Sequence, residues 1–158
     1  MKLNWKKKLL SNAIEIFLEG QSVGSLKEKS FQQKAEGNLN GRIVAFKTSG
    51  FFKQETEITD TVLQKVIGKI TFNSWKTKAE IELEGKKLVW QYDNAWNTKW
   101  SISDSTGTLA TYKSNSSGGE IEAVTFNEML ILTGLYITNY YQQTTVFLML
   151  IVLFVVII

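Results

Sequence analysis

Charge stops at Glu128. The 18 Lys and Arg residues and the 15 Asp and Glu residues all lie between Lys2 and Glu128, and the stretch from Met129 to Ile158 carries none. An uncharged, largely apolar stretch of this length has to be enclosed, either by protein or by lipid. As one helix it would measure about 45 Å against a hydrocarbon core of about 30 Å. Its polar segment Thr138–Thr145 would then fall at mid-bilayer, which is costly. Two elements with different jobs fit better. Residues 126–143 are expected to form a buried helix about 27 Å long, apolar on nearly every side, as a helix enclosed by protein must be. Its core would be Met129, Leu130, Leu132, Leu135, Tyr136 and Ile137. Residues 144–158 then form a separate apolar tail.

The tail is made of Val146, Phe147, Leu148, Met149, Leu150, Ile151, Val152, Leu153, Phe154, Val155, Val156, Ile157 and Ile158. It could insert into a membrane, mask a groove on the body, or join two copies of the chain. Insertion is the preferred reading, because a soluble monomer seldom exposes so long an apolar run. The run is shorter than the ~17 residues that cross a bilayer, so thinning or recruitment of Gln142–Thr145 would have to make up the difference.

The body preceding the tail reads as short strands. Ala79, Ile81 and Leu83 alternate with Glu80, Glu82 and Glu84, giving one buried and one wet face. Leu88, Trp90 and Tyr92 follow after Glu84-Gly85, so residues 77–92 form a hairpin. Further strands are expected over 13–19, 42–47, 51–59, 66–73, 98–103, 108–113 and 120–125. Turn residues sit between them, as in Asp104-Ser-Thr-Gly107 and Asn115-Ser-Ser-Gly-Gly119. Proline is absent from the chain. That suits dense strand pairing, since proline removes a ladder donor. Eleven or twelve such strands point to a barrel or sandwich.

The body also matches itself. Residues 23–60 align without a gap on 67–104, pairing Gly24 with Gly68, Ala35 with Ala79, Leu39 with Leu83, Gly41 with Gly85, Ile58 with Ile102 and Asp60 with Asp104. Phe31 falls on Trp75, Phe46 on Trp90 and Phe52 on Trp96. Two similar four-strand units closing one sheet are the physical reading. The tryptophans of 75–100 could be an aromatic platform for sugar or lipid. Their phenylalanine counterparts favour packing.

These features combine. Eight strands already make a barrel that its own side chains just fill, and about twelve make one that needs a plug. An uncharged helix of suitable length follows the last strand. The fold expected is therefore mainly β: a closed barrel of about twelve antiparallel strands, residues 13–143, around a C-terminal hydrophobic central helix.

Residues 1–12 are expected to be a separate basic segment. Lys2, Lys6, Lys7 and Lys8 with Trp5 could contact anionic headgroups. The apolar stretch that follows breaks at Ser11-Asn12 and Glu15, so no export signal is read and the body is placed in the cytoplasm. A net charge of +3 is too small to imply nucleic acid. With no His and no Cys, Ser-His-Asp triads, thiol nucleophiles, disulfides and Cys or His zinc sites are excluded. Glu80, Glu82 and Glu84 could offer oxygen ligands to a hard cation. The same spacing, with Lys78 and Lys86 nearby, is that of a solvated strand face, and no metal, cofactor or catalytic residue is expected.

The chain resembles the tubby C-terminal-like superfamily, in its LURP-one-related and phospholipid-scramblase-like branch. The residues that carry this are Phe72-x-x-Trp75, Lys78-Ala-Glu-Ile-Glu-Leu-Glu-Gly85-Lys-Lys-Leu-Val-Trp90, Trp96-x-x-Lys99-Trp100-Ser-Ile-Ser-Asp104, Leu109-x-x-Tyr112-Lys113 and Leu130-Ile-Leu-Thr-Gly-Leu-Tyr136. It covers roughly residues 13–141. It implies a twelve-stranded barrel around a central helix and a non-catalytic role, such as phosphoinositide binding in tubby proteins or lipid scrambling in scramblases. No carboxylate after Glu128 matches the scramblase calcium segment, no basic pocket residues match those of tubby, and the tail 146–158 departs from the family pattern.

The expected function is thus a non-enzymatic, membrane-associated binding domain, held by its tail, with lipid or a membrane protein as partner. The alternative is a soluble cytoplasmic scaffold whose tail packs on the barrel or on another copy. Oligomeric state is not readable from the sequence.

Overall fold

The computed structural model describes residues 1–31, 33–50 and 54–157. Twelve strands and one helix follow in order. They are β1 (Lys2–Lys7), β2 (Ala13–Leu18), β3 (Gln21–Ser30), β4 (Lys34–Leu39), β5 (Arg42–Ser49), β6 (Glu55–Asp60), β7 (Lys65–Phe72), β8 (Lys78–Leu83), β9 (Lys86–Tyr92), β10 (Lys99–Asp104), β11 (Gly107–Ser114), β12 (Gly118–Ala123) and α1 (Glu128–Ile157). Each strand pairs antiparallel with its neighbours in sequence, and β1 pairs with β12 to close the barrel.

The strand pattern is set by period-two burial. In β8 Ala79, Ile81 and Leu83 face in while Glu80 and Glu82 face out, and β4 repeats the pattern with Ala35, Gly37 and Leu39. The internal repeat is structural as well. β4 and β8, and β6 and β10, occupy matching positions in the two aligned segments. Gly24 and Gly68 abut the backbone at Asn38 and Glu82, themselves a matched pair. Asp60 and Asp104 each accept backbone N–H groups of the following turn.

The barrel lumen holds the first half of α1, to Tyr141. The helix cap is Asn127, whose Oδ1 accepts the N–H of Leu130 at 3.0 Å. Met129, Leu130, Leu132, Leu135, Tyr136 and Ile137 are buried as expected, together with Ile131, Thr133, Gly134, Thr138, Tyr140 and Tyr141.

Three expectations need correction. The boundary after residue 12 falls inside the barrel, because Lys2–Lys7 is the strand that closes it, paired to both β12 and β2. Its burial alternation is carried only by Leu3 and Trp5 among lysines, a weak signal. Secondly, the buried helix and the tail are one element. The helix was expected to end near residue 143; it runs to Ile157. The polar segment does not break it, because the hydroxyls of Thr138, Thr144 and Thr145 donate to the carbonyls of Gly134, Tyr140 and Tyr141 one turn back. Thirdly, Trp75 and Trp96 are not packing residues, as described below. The strand expected over 51–59 is described from Glu55; Phe51, Phe52 and Lys53, with the Phe52/Trp96 pairing, lie outside the described residues, as does Ile158.

Candidate functional site

The odd-numbered strands run toward the barrel end from which α1 leaves, so the turns after β1, β3, β7, β9 and β11 surround the emerging helix. The polar segment of α1 lies at this mouth. Lys7 Nζ donates to Asn139 Oδ1 at 2.6 Å, and the Gln143 amide donates to the Glu28 carboxylate. Burial pulls the Lys7 ammonium below its usual range, opposed by the charge of Glu28. The hydroxyl of Tyr141 accepts from the Asn73 N–H at 3.1 Å and donates to the Lys78 carbonyl. That locks the β7–β8 turn onto the helix. Polar groups in mid-helix are thus spent on the rim, and beyond them the helix leaves the lumen and meets the barrel only at rim residues such as Phe31.

From Val146 to Ile157 every residue is apolar and exposed. No face is polar, and no face is buried. By length and composition α1 is apolar enough to cross a membrane, but its first half is inside the barrel.

Two neighbouring turns on the rim share one design that the sequence reading missed. Asn73-Ser-Trp75-Lys-Thr-Lys78 follows β7, and Asn94-Ala-Trp96-Asn-Thr-Lys99 follows β9. In the first, Asn73 Oδ1 accepts the N–H groups of Thr77 and Lys78 at 3.0 and 3.2 Å. Asn94 Oδ1 accepts those of Thr98 and Lys99 at 3.0 and 3.1 Å. Each Asn amide also donates to the threonine hydroxyl, at 3.1 and 2.7 Å. The residue after each tryptophan, Lys76 or Asn97, has a left-handed backbone with φ 56°. Both tryptophans are 86% exposed. The signal was present as Asn-x-Trp-x-Thr-Lys written twice, but the longer repeat paired both tryptophans with phenylalanines and pointed to packing. Trp90 and Trp100 do pack, against the helix carbonyl of Gly134 and the Tyr112 ring respectively.

Other bulky apolar side chains sit on the same rim. Leu9 and Leu10 on the β1–β2 turn are 94% and 99% exposed, and Leu10 holds a left-handed backbone at φ 62°. Phe31, on the β3–β4 turn, meets Phe147 of the helix with ring centroids 6.0 Å apart. An open cleft of about 650 Å³ separates these two turns from α1, lined by Leu10, Phe31, Val146, Phe147 and Leu150, among others. The opposite barrel end exposes the aliphatic Val62, Leu63 and Val124. Among the described residues, every exposed aromatic side chain lies on the rim or on the emergent helix.

The basic N-terminal cluster is dispersed by the strand that contains it. Lys2 lies at the far end, in an ion pair with Glu120 at 3.3 Å. Trp5 is 8% exposed, packed against Trp100, and so is withdrawn from any headgroup. Lys6 lies on the outer wall over the Phe17 ring at 5.4 Å. Only Lys8, with the partly covered Lys7, reaches the rim. Glu80, Glu82 and Glu84 are exposed, and Glu82 is flanked across the sheet by Lys69 and Lys87, as on a solvated face. Among the described residues no group of three or more His, Cys, Asp or Glu side chains is placed to hold a metal.

No protein-family model, no curated protein and no solved structure matches this chain, so the tubby-like resemblance rests on the residues that carry it.

Proposed function

We propose that the protein is a non-enzymatic, tubby-like membrane-associated binding module, anchored by the emergent half of α1, with bilayer lipid as its partner. The observation that carries this is the all-round apolar exposure of Val146–Ile157. A helix that docks in one protein groove or pairs with one copy needs a single apolar stripe. One surrounded by lipid is apolar on every side. The described emergent residues reach about 18 Å, rather more than half of a hydrocarbon core of about 30 Å. At about −0.4 kcal/mol per Leu, Ile, Phe or Val residue, burying them contributes on the order of 5 kcal/mol. Because the other half of the same helix is the barrel plug, anchoring the tail also fixes the barrel.

The barrel would lie on the cytoplasmic side. Lysines flank the described rim turns, at Lys8, Lys29, Lys34, Lys76, Lys99 and Lys113, and outnumber the nearby Glu28, Glu55 and Asp93. Basic residues close to a membrane segment mark that side.

Flotation of the full chain with phosphatidylcholine vesicles tests the reading. The full chain should float, and Leu150→Lys with Phe154→Lys should lower the bound fraction at least a hundredfold, each charge costing about 3 kcal/mol in the core. A full chain that stays soluble and monomeric without detergent would overturn it.

A further inference from the structure

We infer that the paired turns carrying Trp75 and Trp96 form an interfacial collar, which seats the rim of the barrel in the headgroup layer of an anionic bilayer. This rests on the tail anchorage proposed above and adds to it a second, separate contact.

Four observations converge. The two turns are built alike. Each asparagine satisfies two backbone N–H groups and holds its threonine, and each places a left-handed residue after the tryptophan. That backbone is costly for Lys76 and tolerated by Asn97, whose short polar side chain can bond locally. Both turns leave the indole 86% exposed. Secondly, the Trp75 turn is tied to the helix that carries the tail. Tyr141, the last buried residue before the emergent helix, is hydrogen-bonded to both Asn73 and Lys78, the two ends of the Trp75 turn. Lys76 of that turn also lines a groove of about 470 Å³ against Thr145, Leu148, Met149, Val152 and Leu153.

Thirdly, the chemistry is that of a membrane boundary. Tryptophan is favoured where one edge meets hydrocarbon and the N–H meets headgroups. Lys76, Lys78 and Lys99 stand within the two turns or at their ends, placed for lipid phosphates, with long alkyl stems able to lie along apolar surface. Finally, Leu9, Leu10 and Phe31 put bulky apolar groups at the same level on other sides of the helix. The emergent helix would therefore enter hydrocarbon directly from the barrel mouth, with no exposed linker.

The test uses the full chain in vesicles of phosphatidylcholine with a quarter phosphatidylserine, beside Trp75→Ser/Trp96→Ser. Both substitutions lie in exposed turns, and an unchanged thermal unfolding curve would certify the fold. Tryptophan emission is quenched either by brominated phosphatidylcholine from within the bilayer or by aqueous iodide. The double variant should still float with the vesicles and lose at least threefold in quenching by the brominated lipid. Its iodide quenching should be unchanged, since the collar was already shielded. The opposite pattern, with iodide quenching lost and brominated-lipid quenching kept, would overturn the collar and leave the tail anchor standing. No change in either would mean that another copy of the chain covers the two indoles, which also overturns it. If the full chain does not float at all, both readings fall together.

Discussion

Tyr112 of the barrel wall fills the space that a side chain at Gly134 of the central helix would occupy. A Cβ on Gly134 would overlap the Tyr112 hydroxyl and ring. The hydroxyl in turn donates to the carbonyls of Leu130 and Ile131, at 3.3 and 3.4 Å. Trp90 Nε1 donates to the Gly134 carbonyl at 3.3 Å. Two large aromatic rings thus approach the helix backbone at its one glycine. Gly134→Ala, ordinarily favourable within a helix, should here destabilise the fold by about 1–3 kcal/mol through overpacking. Chemical denaturation of the two proteins in the same detergent would measure it.

On the other side of the helix Tyr136 stacks on Phe46, centroids 4.2 Å apart and planes 4° from parallel. Its hydroxyl shares hydrogen bonds with Thr48 at 2.7 Å and Thr56 at 3.2 Å. Tyr136→Phe keeps the stack, and Thr48 and Thr56 keep their mutual bond at 2.7 Å. The loss should therefore be modest, about 1 kcal/mol. Tyr136→Ala removes the ring from the core and should cost about 3–5 kcal/mol. A ratio near one between the two losses would mean that the hydroxyl, not the ring, holds the helix.

Asp60 supplies the pH dependence. It is buried, and the Leu63 N–H above all, with the Arg42 guanidinium at 3.2 Å and the Val62 N–H, keeps its carboxyl below the ordinary range against the opposing effect of burial. A carboxylate whose folded pKa is depressed contributes stability that is fully present above its unfolded value, near 3.9. That stability is lost as pH falls through the lower folded value. Asp60→Asn should be less stable than the parent at pH 7, and the difference should shrink as pH falls below ~3.9. An unchanging difference across that window would mean that Asp60 acts by shape alone.

Truncation separates the two halves of α1. A chain ending at Thr145 keeps every buried helix residue and should unfold as cooperatively as the parent, but should not float with phosphatidylcholine vesicles. A chain ending at Asn127 loses the plug and should show no cooperative thermal transition, since the lumen of a barrel this wide cannot be filled from its walls.

Much of this was legible because each piece carried its own local period. Ala79, Ile81 and Leu83 gave the strand, and the gapless repeat gave the matched hairpins. The uncharged residues from Met129 gave the plug. β1 was hidden because Leu3 and Trp5 are its only inward anchors and lysines surround them; what makes it a strand is pairing with β12, a partner more than a hundred residues away. The join of plug and tail was hidden because Thr138, Thr144 and Thr145 look like a break, and only their hydroxyl bonds to the preceding turn show that they are not. The exposed pose of Trp75 and Trp96 depends on the Asn73 and Asn94 side chains, whose bonds are set by turn geometry and not by hydrophobic pattern.

The central claim is that one helix plugs the barrel with its first half and meets lipid on all sides with its second. The chain has no cysteine, so single cysteines introduced one at a time from Thr145 to Ile157 can carry a spin label without background. In phosphatidylcholine vesicles, oxygen accessibility should rise from Val146 onward and that of an aqueous nickel chelate should fall, with no helical periodicity in either. A 3.6-residue period with one protected face, or nickel accessibility that stays high through Val152, would contradict the claim.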